Sequence, residues 1–249
     1  MKKNSFNEIV IQYLLSIYSN LSKKEVTKIL KKIRSIFKKT NQTKNKLWSE
    51  RDFFLITYAD TIKKKKQKHF VTLGQFLKKF AADFSFVHIL PFFPYSSDDG
   101  FAIKDYKEIK NENGCWKDLK KISSSFKIMS DLVINHCSSE NRLFKDFLSL
   151  GKNSDFFIVS NNKFKISPKI VRPRSSDISK KVTVNKKDAY VWCTFSHDQV
   201  DFNFKNPDVL IFFLEIIKFY LDNNIKALRL DAVAFLWKEK NTNCINLPQ

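Results

Sequence analysis

Four places in this 249-residue chain set chemically competent side chains at the end of an apolar run. "IMSDLVINH" (128–136) ends on Asn135 and His136, and "KALRLD" (226–231) ends on Arg229 and Asp231. "VHILPFFPYSSDDGF" (87–101) carries Asp98, and "FFLITYAD" (53–60) carries Tyr58 and Asp60. A polar group at the end of a buried strand is costly unless it is hydrogen-bonded or paired, so four such ends ask for one explanation. Arg229 and Asp231 lie two residues apart, and alternation along a strand puts both on one face. A nearby cation favours the charged carboxylate, which suits either a structural ion pair or a group poised to react. His136 has an alternative role as a strand-end cap, and Asp131 is expected to be structural.

The elements that would position these groups alternate along the chain. Residues 53–59, 86–90, 128–134 and 226–230 read as strands, the first of them buried. Helices are expected over 72–83 (Leu73, Phe76, Leu77 and Phe80 in phase), 116–126, 140–149 and 207–222. Asn206 and Pro207 supply the cap and first-turn proline of the last of these. An irregular polar stretch fills the interval up to about residue 205. Strand–helix alternation implies parallel strands with right-handed crossovers, in a doubly wound sheet or a (β/α) barrel. Only Gly74, Gly100, Gly114 and Gly151 are present, and no Gly-rich phosphate loop. In a barrel the C-terminal strand ends carry the chemistry, so the four polar ends would face a shared pocket.

Ahead of this alternation, residues 6–18 place Phe6, Ile9, Val10, Tyr13, Leu14 and Ile17 on one helical face. A second helix opens with a capping box, Ser22 with Glu25. Its apolar stripe is Val26, Ile29, Leu30, Ile33 and Phe37, and residues 38–46 form a polar linker.

Composition narrows the classes. Hydrophobic content of 43% is ample for a core, and no run of about 18 apolar residues could span a membrane. The basic N-terminus is interrupted by Asn7, Glu8 and Gln12 and has no small-residue cleavage site, so it reads as a helix and not a signal peptide. A net charge of +20 invites a nucleic-acid reading. Only six of the 45 basic residues are arginine, however, and lysine is spread along the whole chain, as expected of codon drift in an AT-rich genome. A basic helix, "KKIRSIFKK", is the remaining candidate for RNA or acidic membranes, but Ile33, Ile36 and Phe37 put it on the apolar stripe. Neither nucleic acid nor membrane is expected as a partner. Cys115, Cys137, Cys193 and Cys244 show no metal-ligand spacing and read as reduced thiols of a cytoplasmic protein.

Three motifs carry a family resemblance. "DLVINH" (131–136) and "LRLDAV" (228–233) resemble two signature regions of the α-amylase superfamily, glycoside hydrolase family 13, and "QVDFN" (199–203) resembles its accessory region. Within it, "VHILPFFPYSSDDGF", "VWCTFSHDQVDFN" and "RLDAVAFLWKEKNTNCINLPQ" are similar to the sucrose phosphorylase branch. The helical extension followed by "LWSERDFFLITYADTI" is more like its glucosylglycerate phosphorylase group. The resemblance covers about residues 47–249 and implies an α/β fold, a (β/α)8 TIM barrel. Here it is expected to be incomplete, with about the first four β/α units. The implied division is a helical extension (1–46), a first barrel part (47–136), a small domain inserted after the third strand (137–205) and a barrel continuation (206–249).

The resemblance implies a retaining double displacement on a small α-glucoside, with inorganic phosphate as co-substrate, no cofactor, and α-glucose 1-phosphate as product. Asp231 matches the nucleophile and Arg229 the residue that orients it. Asp98 and His136 match residues that grip the glucosyl unit, Phe195 an aromatic platform beside it, and Gln199 a polar neighbour. The residue at Asn135 would bind calcium in amylases, but the phosphorylase branch resembles metal-independent enzymes, so no metal is expected. A hydrolase of the same superfamily is the alternative. Arg172 and Arg174 are candidates for an anionic acceptor or for anchoring their loop. The family's acid/base glutamate follows the fifth strand and its histidine–aspartate pair the seventh, and no residue here matches either. Glu239 would lie on a helix after the nucleophile strand, pointing away. The chain therefore reads as the N-terminal half of an enzyme, inactive alone, with an open sheet edge and a separately encoded C-terminal half as a candidate partner.

Overall fold

The computed structural model describes residues 6–38 and 48–249. The first part of the chain holds α1 (Phe6–Ile17), α2 (Lys23–Phe37), β1 (Phe54–Thr57), α3 (His69–Phe80), β2 (Phe86–Ile89), α4 (Trp116–Ser123) and β3 (Lys127–Val133). Then come β4 (His136–Ser138), α5 (Arg142–Leu150), β5 (Val159–Ser160), β6 (Ser179–Val184), β7 (Lys187–Trp192) and β8 (Gln199–Asp201). The last elements are α6 (Pro207–Asp222) and β9 (Ile225–Asp231). Apart from Lys38, the linker expected over 38–46 lies outside the described residues.

Strands β1, β2, β3 and β9 form a parallel sheet in that order. Parallel neighbours need crossovers. Helices α3, α4 and α6 supply them, burying Leu73 and Leu77, Leu119 and Ile122, and Val209, Phe213 and Ile216 in one core with Val87, Ile89, Leu132 and Val133. β2 is buried at every position, as expected of a parallel strand covered on both faces. β1 is different. The sequence reads as a buried strand, yet Phe54 is 48% and Ile56 62% exposed, because the helices cover the opposite face, where Leu55 packs on the core, and among the described residues β1 pairs with β2 alone.

The helical pair docks on the outer layer. Leu14, Tyr18, Val26 and Ile29 pack against Ile211 of α6, and Lys32 reaches Asp208 at 2.7 Å. The capping box is present: Ser22 N–H donates to the Glu25 carboxylate (2.8 Å) and Glu25 N–H to Ser22 Oγ (3.3 Å). The single face expected for α1 splits. Leu14 is buried and Val10 and Ile17 pack against the pair, whereas Phe6, Ile9 and Tyr13 are exposed. The apolar arc of α1 is wider than the surface α2 and α6 offer it.

The stretch expected to be irregular is not. β5, β7 and β6 form an antiparallel sheet, and β4 pairs antiparallel with β8. Val184 pairs with Lys187, leaving a two-residue turn whose members Asn185 and Lys186 both have positive φ (48° and 66°). Such turns usually announce themselves by glycine, and Asn-Lys hides the hairpin. Among the described residues no helix is long and apolar enough to cross a membrane.

Candidate active site

Register builds the first half of the site. β3 and β9 pair so that Asp131 lies opposite Arg229 and Val133 opposite Asp231. Arg229 Nη1 donates to Asp131 Oδ1 at 2.5 Å and to Asp231 Oδ1 at 3.1 Å. Asp131 is fully buried, and its other oxygen accepts from His88 Nε2 of β2 at 2.8 Å. The result is a chain across three strands, His88–Asp131–Arg229–Asp231. Burial pushes the Asp231 carboxyl above its usual range, Arg229 pulls it down, and the charges of Asp131 and Asp98 push it up again, with a net rise. Arg229 acts in the direction the sequence implies, favouring the charged carboxylate, while burial is the larger influence.

The second half gathers Asp98, His136, Phe195 and Gln199. Gln199 Nε2 is 2.9 Å from Asp98 Oδ2 and 3.0 Å from His136 Nε2, and the His136 ring lies 3.1 Å from the Phe101 carbonyl oxygen. His136 is buried, and loss of hydration lowers its pKa to about 4, so the ring is neutral near pH 7. The Phe195 ring sits 5.0 Å from that of His136 and 5.5 Å from Phe235. Asp98 and Asp99 adopt left-handed conformations (φ 55° and 49°), which turns their loop sharply at the strand end. The two halves meet at Phe101, whose ring lies 5.8 Å from the Arg229 guanidinium.

The six residues matched to the family's site are thus linked through one chain of contacts that passes Phe101, whereas Asp60, just past the end of β1, pairs with Lys63. Arg174 reaches the rim, 3.5 Å from Asp98 Oδ1. Arg172 instead lies 3.5 Å from the Thr194 carbonyl and Ser176 Oγ, with its Nε buried and without a partner among the described residues. The helix expected around Glu239 is absent: Val233–Phe235 is a single 3-10 turn, and Glu239 pairs with Lys205 at 2.7 Å.

Sequence reasoning missed His88, Phe101 and Lys238. A histidine inside "FVHIL" was a signal, since a buried imidazole needs a partner. Lys238 is buried, and its ammonium lies 2.8 Å from Asn135 Oδ1 and 2.5 Å from Asp201 Oδ2, with a further bond to the Phe235 carbonyl. These are the oxygens a divalent cation at Asn135 would need. While the lysine holds them they do not fit a metal ion. Among the described residues no cluster of three or more His, Cys, Asp or Glu could hold one either.

A parallel β/α sheet with its polar groups gathered at the C-terminal strand ends defines a class. Residues 74–247 match the alpha-amylase catalytic-domain family, and the chain belongs to it. Its relatives include glucosylglycerate phosphorylases from Spirochaeta thermophila (43% identical, over 80% of this chain and 34% of the relative) and Escherichia coli (35% identical, over 96% and 43%). The solved structure of sucrose 6F-phosphate phosphorylase from Thermoanaerobacter thermosaccharolyticum superposes with a TM-score of 0.73 at 32% identity, over 81% of this chain and 44% of that one. The resemblance to the sucrose and glucosylglycerate phosphorylase branch therefore holds, and the sheet corresponds to part of a (β/α) barrel. The chain spans 34% and 43% of the length of these two curated relatives.

Proposed function

We propose that this chain is the nucleophile-bearing part of a retaining α-glucoside phosphorylase. The observation that carries the reading is Asp231, bonded to Arg229 on the same strand and close enough to Asp98 to feel its charge, beside the polar cluster of Asp98, His136 and Gln199. In the first step a carboxylate oxygen of Asp231 bonds to the anomeric carbon as the glycosidic C–O bond breaks and the aglycone leaves with a proton. In the second, an oxygen of inorganic phosphate bonds to that carbon, the Asp231 ester bond breaks, and α-glucose 1-phosphate departs with the carboxylate restored. Asp98, His136 and Gln199 hold the glucosyl hydroxyls, and Phe195 supplies a ring platform. Arg229 orients Asp231, and Arg174 at the rim suits an anionic co-substrate or acceptor. No cofactor or metal takes part.

The proposal extends to organisation. Residues 1–46 form an extension whose described part is the helical pair α1 and α2, 47–136 and 206–249 are barrel segments, and 137–205 is a small inserted domain. The general acid/base comes from sequence outside residues 1–249, in line with the greater length of the relatives. A cytoplasmic location is part of the same reading. The test is to produce residues 1–249 with the remaining barrel sequence, supply glucosylglycerate or sucrose with phosphate, and assay glucose 1-phosphate. Turnover that Asp231→Asn abolishes is expected. Free glucose released without a phosphate requirement would replace the phosphorylase reading by a hydrolase.

A further inference from the structure

One carboxylate near the site has no part in the scheme above. Asp198 lies in the loop before β8, and its side chain faces two other loops. Its Oδ2 accepts from Ser97 Oγ at 2.5 Å and from Ser96 Oγ, and its Oδ1 from Ser139 Oγ at 2.7 Å, with Ser138 Oγ at 3.5 Å. The Ser96 and Ser138 hydroxyls are 2.5 Å apart, and Ser139 N–H donates to the Asp198 carbonyl at 2.7 Å. Burial works against the charge, but the hydroxyls of Ser96, Ser97 and Ser139 outweigh it and hold the carboxyl below its ordinary pKa. Hydrogen bonds to an ionised acceptor are about twice as strong as neutral ones.

The sequence positions of these partners give the cluster its meaning. Ser97 immediately precedes Asp98, Asp198 immediately precedes Gln199, and Ser138 follows His136 by two residues on β4. The three neighbours are the residues that touch one another at the sugar site. Asp98 also sits in a left-handed conformation, which a non-glycine residue keeps only where its surroundings over-determine it.

We propose that Asp198 is a positioning residue whose carboxylate, held by serines of two other loops, sets the placement of Asp98, Gln199 and His136 toward the glucosyl unit. This rests on the sugar-site reading above, and its test is arranged so that the two can fail separately. The first measurement needs no activity: the heteronuclear NOE of the Gln199 side-chain amide in ¹⁵N-labelled chain 1–249. Asp198→Ala should loosen that amide, and added formate, which can refill the site between the serines, should tighten it again. Should Asp198→Ala fail to fold, the Ser97→Ala/Ser139→Ala double variant removes two donors while keeping the carboxylate, and the same loosening is expected. The second measurement uses the chain assembled with the remaining barrel sequence. There kcat/KM for the α-glucoside should fall about 10²-fold, the scale of a misplaced binding group, with partial rescue by formate. A Gln199 amide that stays rigid in the folded variants, or kcat/KM unchanged beside a lowered melting temperature, would overturn the proposal and leave Asp198 a loop anchor. A loosened amide in a protein with no phosphorolytic activity would keep the positioning role and sink the phosphorylase reading instead.

Discussion

Strands β3 and β1 belong to one parallel sheet and both read as apolar runs, yet they live in different environments. β3 lies between β2 and β9, and its Asp131 is fully buried, gripped by His88 on one side and Arg229 on the other. β1 is paired on one side, and alternate residues along it are exposed. A polar group on β3 therefore carries a large energetic weight, because water cannot replace a lost partner. An apolar group on the exposed face of β1 carries little, because it is already in contact with water. Neighbour number, more than residue type, sets what each side chain contributes.

The sharpest way to break this contrast is Asp131→Ala. It strands the buried His88 imidazole and removes one of the two carboxylates bonded to the Arg229 guanidinium, and each buried polar group left unsatisfied costs about 1–3 kcal/mol. Urea unfolding should show a loss of that size; a loss near zero would mean the β3 interior is as forgiving as the sheet edge.

A second handle is pH. The folded pKa of His136 is about 4, below the ordinary value of 6.5, so the unfolded chain binds the extra proton first as pH falls. Stability from keeping this ring neutral is fully present above about pH 6.5 and declines as pH drops toward 4. The loss amounts to about 3 kcal/mol below that window. Comparing denaturation of the parent with His136→Gln between pH 4 and 7 isolates it: the difference between the two should narrow or change sign as pH falls. A constant difference would place a hydrated ring where the structure buries one.

The smallest effect belongs to the edge. Ile56→Thr on β1 is expected to change the unfolding free energy by no more than about 0.5 kcal/mol, since Ile56 is 62% exposed. A cost above 2 kcal/mol in the isolated chain would show that something covers β1 in solution, and the comparison with β3 would need redrawing.

Much of this molecule was open to reading before any coordinates. The alternation of strands and helices, the capping box at Ser22 and the Asn206–Pro207 helix start are local signals, set by neighbouring residues and side-chain period. The pairing of Arg229 with Asp231 is equally local, since two residues on one strand share a face. The hairpin of β6 and β7 escaped because its turn uses Asn185 and Lys186 in place of glycine. The width of α1's apolar arc could be counted in the sequence; which part of it would find a partner could not.

Which polar side chains stand at the ends of the strands was legible in the contiguous chain, because strand alternation is a property of neighbouring residues. Tertiary structure alone decided who holds those residues. His88 meets Asp131 across 43 positions, Arg229 meets Asp131 across 98, and Lys238 meets Asn135 across 103. Such contacts depend on sheet order and register, and in a parallel sheet these are set by crossovers that bring distant segments side by side. The net rise in the Asp231 pKa has the same origin: burial and the charges of Asp131 and Asp98 arrive from other elements, and only Arg229 could be seen from the strand itself.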